Sequence, residues 1–61
     1  MNAEARLWLR YAAENERSAE VLLEQALFNP CLQNVQQAME KYLKALLVEK
    51  GRPLKRTHSI R

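Results

Sequence analysis

Five cations and no acid fall within the last twelve residues, Lys50, Arg52, Lys55, Arg56 and Arg61, with His58 between Thr57 and Ser59. Cations this dense and unneutralised suit phosphate, nucleic acid or an acidic protein surface, and they equally suit a solvated charge run. His58 has the chemistry of a general base or a phosphate contact; beside Thr57 and Ser59 it also fits an ordinary helix-end residue. We take Lys50, Arg52, Lys55, Arg56 and His58 as the candidate phosphate-binding set. One further polar residue stands out. Gln36 lies inside an apolar helical stripe, where an amide without partners costs on the order of 1–3 kcal/mol, so it is expected to face a subunit interface, a ligand or a carbonyl of a further helix.

Other chemistry is poorly provided for. Cys31 is the single cysteine and His58 the single histidine, which leaves no internal disulfide and no metal-ligand set of the usual spacing. No metal and no cofactor is expected. A glycine-rich phosphate loop is absent, so nothing in the sequence specifies a free nucleotide. The opening MNAEARLW mixes acid and base where a secretory leader needs an apolar run, and no window reaches the roughly 18 apolar residues of a membrane span. The chain therefore reads as a soluble, uncleaved, cytosolic protein without a membrane partner.

Sixty-one residues with one glycine, two prolines and 48% apolar content make at most one small domain, near the lower limit for folding unaided. The apolar residues recur at three and four, and no segment alternates, so the fold class is all-α. In the first segment Trp8, Ala12, Ala19, Leu22, Leu23 and Ala26, with Ala5 and Tyr11, fall in an arc of roughly 120°, with Leu9 and Leu27 at its edge. A helix is expected from about residue 3 to about residue 27. Asn29 reads as the N-cap and Pro30 as the first residue of a second helix. Gly51 ends it in the left-handed region after Lys50, and Pro53 is a further stop. A connection this short folds the two helices back antiparallel.

The second helix is apolar over too wide an arc for one neighbour. Leu32, Val35, Ala38, Met39, Tyr42, Leu43, Ala45, Leu46 and Leu47 span roughly 200°. One part packs on the first helix; the remainder is expected to meet a second copy or further helices, with Gln36, Leu43 and Leu47 at the interface. Thr57 reads as the cap of a third helix that is only begun. Asn15, equally central in the first stripe, is expected to pair with Tyr42 across the hairpin. Glu40 and Lys44, four apart, read as a surface ion pair, and Trp8 and Tyr11 as core residues.

Taken together, Trp8, Ala12, Ala19 and Leu22, a short break, QQAMEKYLKALL at Gln36–Leu47, Gly51, and THSI at Thr57–Ile60 resemble the N-terminal half of HEPN domains. These are small prokaryotic helical proteins often encoded beside a minimal nucleotidyltransferase. The resemblance implies residues 1–61 as a single partial domain, the antiparallel front part of an up-and-down helical bundle. It also implies a homodimer that works with a nucleotidyltransferase-type partner in a system resembling toxin–antitoxin pairs. Active members of the wider family are metal-independent ribonucleases using an Arg and a His four to six residues apart on a later helix, two copies meeting across the dimer. Arg52 and His58 have five residues between them, but the interval PLKRT contains Pro53 and follows Gly51. It reads as a loop, so no catalytic residue is assigned. Asn15 stands where many relatives carry an acidic residue.

Two functions follow as expectations. In the first, the chain is a HEPN-like subunit binding RNA or nucleotide together with a protein partner. In the alternative, it is a complete helical hairpin that dimerises to a four-helix bundle and binds RNA as a regulator.

Overall fold

The computed structural model describes residues 1–51, which form two α-helices, α1 (Ala3–Glu24) and α2 (Phe28–Glu49), packed antiparallel as a hairpin. Among the described residues there is no strand. The candidate third helix at Thr57 lies outside them.

Each end of α1 is closed by its own local chemistry. Asn2, in extended conformation, accepts the Ala5 N–H on its side-chain oxygen at 2.7 Å, and Glu4 in the first turn faces the positive end of the helix dipole. At the other end Ala26 takes a φ of 59°. Leu27 N–H donates to the Leu22 carbonyl at 2.9 Å and Ala26 N–H to the Leu23 carbonyl at 3.0 Å. This is a Schellman closure with alanine at the position glycine usually fills. The helix therefore stops at Glu24 and not near residue 27. Its apolar spacing runs on through Ala26 and Leu27, and no glycine marks the stop.

The start of α2 also departs from expectation. Leu27 is the capping residue, without a side-chain cap bond, so Asn29 and Pro30 lie within the first turn and Asn29 caps nothing. Pro30 is tolerated at the third helical position because the first N–H groups of a helix have no intrahelical acceptor. The C-terminal end is as expected. Lys50 is the C-cap, and Gly51 follows at φ 74° with its N–H on the Val48 carbonyl at 3.0 Å.

Between the helices the core is made of alanine. Ala5, Ala12 and Ala19, seven apart on α1, and Ala38 and Ala45, seven apart on α2, are the buried residues of the hairpin, none more than 6% exposed. Cys31 continues the α2 series one heptad earlier, and its Sγ donates to the Ala19 carbonyl at 3.2 Å. Methyl-sized side chains let two helices approach closely, and large residues are left on either side of the line of contact. The Trp8 and Leu22 side chains reach half-burial, whereas Leu23, Leu27, Phe28, Leu32 and Met39 stay at least half exposed.

Candidate functional site

At the open end of the hairpin the Asn2 backbone N–H donates to Glu49 Oε1 at 3.2 Å, and the Asn2 side-chain amide donates to the Val48 carbonyl at 3.5 Å. These contacts hold the beginning of α1 beside the end of α2. Lys50 is exposed there, on the same end as the N-terminus. Of the candidate phosphate-binding set, Lys50 is thus placed at the rim of the fold. Arg52, Lys55, Arg56 and His58 lie outside the described residues.

The alanine line divides the long surfaces into two faces of different chemistry. On one, Asn15 Nδ2 donates to Asn34 Oδ1 at 2.8 Å, Asn34 Nδ2 donates to the Pro30 carbonyl at 3.0 Å, and Lys41 Nζ donates to Asn15 Oδ1. Lys44 sits 4.8 Å above the centre of the Trp8 ring, which meets Tyr11 edge to face with centroids 6.0 Å apart. Two ammonium groups one turn apart are thus held by an amide and an indole. Neither donates a hydrogen bond to a carboxylate among the described residues.

This arrangement corrects three expectations. Tyr11, expected in the core, is 41% exposed. Asn15 bonds Asn34 and Lys41 rather than Tyr42, whose hydroxyl lies on the other face and donates to Glu16 Oε1 at 2.8 Å. The reason is the turn. With its centre at Ala26 rather than near residues 28–29, the position of α2 level with Asn15 moves from Tyr42 to Gln37, and Asn34 and Lys41 lie just before and after that level on one face. Glu40 and Lys44 form no ion pair, because Lys44 turns to Trp8. The hydrogen bond from Tyr42 to Glu16, with smaller contributions from desolvation and the carboxylate charge, raises the Tyr42 pKa above its ordinary 10.0.

Neither Asn34 nor Lys41 was expected as a partner of Asn15. A usable signal existed: they are seven apart and follow the register of Ala38 and Ala45, the residues that meet α1. On the opposite face α2 presents Phe28, Leu32, Val35, Met39, Tyr42 and Leu46, all exposed. Of the expected interface residues, Gln36 and Leu43 are exposed and Leu47 is half-buried.

Among the described residues no three His, Cys, Asp or Glu side chains come together as a metal site, and no helix is long and apolar enough to cross a membrane. The family model of the HEPN domain matches residues 5–61. No curated protein and no solved structure matches the chain.

Proposed function

Because the chain belongs to the HEPN domain family, we propose that it is a self-associating helical subunit of a nucleotidyltransferase-associated, toxin–antitoxin-like system, acting in the cytoplasm and contacting RNA or nucleotide phosphate. The family match over nearly the whole chain carries this reading. The unpaired large residues of α2 support it, since they give a subunit of this kind a surface for another chain. The phosphate contact is assigned to the segment that starts at Lys50 and continues through Arg52, Lys55, Arg56 and His58. Gln36, Leu43 and Leu47 belong to the protein interface in this reading.

The exposed face of α2 also favours a second reading, a hairpin whose dimer is itself the functional unit and binds RNA without a nucleotidyltransferase. Co-purification with a co-expressed minimal nucleotidyltransferase from the same genome separates the two: a stable complex supports the first, its absence the second. RNA affinity of the full chain is then compared with that of an Arg52, Lys55, Arg56 triple alanine variant between low and physiological salt. Weaker binding and a shallower salt dependence in the variant are expected, because fewer counterions are released from the phosphates. Identical affinities and slopes remove the segment from the binding site.

A further inference from the structure

Trp8, Tyr11 and Asn15 follow one another at intervals of three and four along α1, and two lysines of α2 reach across to the outer members of this row. Lys41 Nζ donates to Asn15 Oδ1, and Lys44 Nζ lies 4.8 Å from the centre of the Trp8 ring. The lysines leave α2 one turn apart, but the groups that hold their ammoniums are seven residues apart on α1, roughly 10 Å at 1.5 Å per residue. Tyr11 lies between these two anchors along the helix. It is 41% exposed, and its contact with Trp8 sets the two rings at 81°.

Both cations keep bonding capacity in this arrangement. An ammonium carries three N–H donors; Lys41 uses one on a neutral amide, and Lys44 rests on a ring face. Both residues are half-buried, where a charge is screened less than in open water. Neither donates to a carboxylate among the described residues. Residues 52–61 contain Arg52, Lys55, Arg56 and Arg61 and no Asp or Glu, so their side chains offer this face no charge complement. An anion carried by another molecule does.

The ring between the cations selects the kind of anion. Two ammoniums on either side of an exposed aromatic ring match one nucleotide of a single strand, with its base on the ring and the phosphates before and after it on the cations. Gln37, exposed and level with Asn15, adds an amide donor and acceptor for a base edge. A duplex keeps its bases stacked on one another and has no free face to give Tyr11. An acidic peptide satisfies the ammoniums but leaves the ring without a stacking partner.

We propose that this side of the hairpin is a second RNA contact, separate from the segment that starts at Lys50, in which Tyr11 stacks on an unpaired base and Lys41 and Lys44 hold the flanking phosphates. It rests on the RNA contact of the reading above and adds a site within the two helices. Trp8 is the single tryptophan and lies under Lys44, so its fluorescence reports on this site alone. The full chain is titrated with a short single-stranded RNA of mixed sequence, with the same RNA annealed to its complement, and with poly-glutamate. Only the single strand is expected to change the Trp8 emission strongly. By anisotropy of the labelled strand, Lys41→Gln with Lys44→Gln is expected to bind about tenfold more weakly at physiological salt. Its log–log salt slope should be shallower by about 1, since a phosphate contact on a single strand contributes roughly 0.7. Tyr11→Ala is expected to weaken binding at least ~5-fold with an unchanged slope, and Tyr11→Phe to leave it intact. Tyr11 is exposed, so this pair keeps the comparison if loss of the Lys41 bond to Asn15 unfolds the hairpin. Duplex binding as tight as that of the single strand, or poly-glutamate shifting Trp8 as far, overturns the proposal. So do Lys41, Lys44 and Tyr11 variants that bind like the unmodified chain while the Arg52, Lys55, Arg56 variant does not, a result that leaves the contact of the basic segment standing. An unmodified chain that binds no RNA overturns both.

Discussion

Asn15 and Asn34 are joined across the hairpin by a 2.8 Å hydrogen bond, and the same Asn15 side chain accepts from Lys41. One amide thereby satisfies two polar groups of α2 that would otherwise face half-buried surface beside the alanine line. Replacing Asn15 by Ala leaves the Asn34 oxygen and the Lys41 ammonium without these partners. The expected loss is on the order of 1–2 kcal/mol of unfolding free energy, read from urea denaturation at fixed chain concentration. The Asn15→Ala, Asn34→Ala double variant is expected to be less destabilised than the two single changes added together, with a coupling of about 1 kcal/mol. Strict additivity would mean that the bond adds nothing to stability.

Ala26 is held at φ 59°, a region that costs an L-residue with a Cβ roughly 1–2 kcal/mol and costs glycine almost nothing. Glycine regains that strain but gives more entropy to the unfolded chain, so the gain is partial. Ala26→Gly is expected to stabilise the hairpin by about 0.5–1 kcal/mol, seen as a higher melting temperature with unchanged helix content. A lower melting temperature would show that Ala26 is not in the left-handed region in solution.

The same residue explains how much of the fold could be read in advance. Helical class, antiparallel pairing, the Gly51 stop and an overly wide apolar arc on α2 all follow from spacing, because periodicity survives without knowledge of neighbours. The turn does not, since an alanine in a glycine position carries no local signal, and Asn29-Pro30 offers a stronger cap signal two residues too late. A pivot misplaced by two or three residues moves the level partner of Asn15 by about five, more than one helical turn. Hence Tyr42 was expected where Asn34 and Lys41 are found. The wheel likewise identifies the apolar arcs without saying which part is buried. The small residues are buried and the large ones stay partly exposed, a choice made by how closely the two backbones approach. For the basic segment beyond Gly51, the sequence remains the source of the assignment.

Tyr42 provides a spectroscopic report on the face opposite the asparagines. Its hydroxyl donates to the Glu16 carboxylate, which favours the neutral phenol and raises the pKa above 10.0. A group whose folded pKa is raised lends stability that is fully present below the unfolded value and is lost as pH climbs through the folded one. Any contribution of this bond is therefore intact at neutral pH and disappears above about pH 10. In a Tyr11→Phe background, the ultraviolet titration of Tyr42 is expected to have its midpoint above that of a free tyrosine, and Glu16→Gln is expected to lower it. An unchanged midpoint in Glu16→Gln would exclude the bond as the cause.

Ala12 and Ala13 are neighbours in sequence with opposite surroundings, and the pair tests the alanine line directly. Ala12 is fully buried against α2, while Ala13 is exposed on α1. Leucine is as good a helix former as the exposed surface requires, so Ala13→Leu should change stability by no more than about 0.5 kcal/mol. At Ala12 the three added carbon atoms have no space unless the helices separate, and separation would also loosen the Asn15–Asn34 bond one turn away. Ala12→Leu is therefore expected to cost about 1–3 kcal/mol, the range for overpacking a tight contact. Thermal unfolding of both variants by circular dichroism at one concentration makes the comparison. Equal melting temperatures for the two would show that the helices do not meet through their alanines.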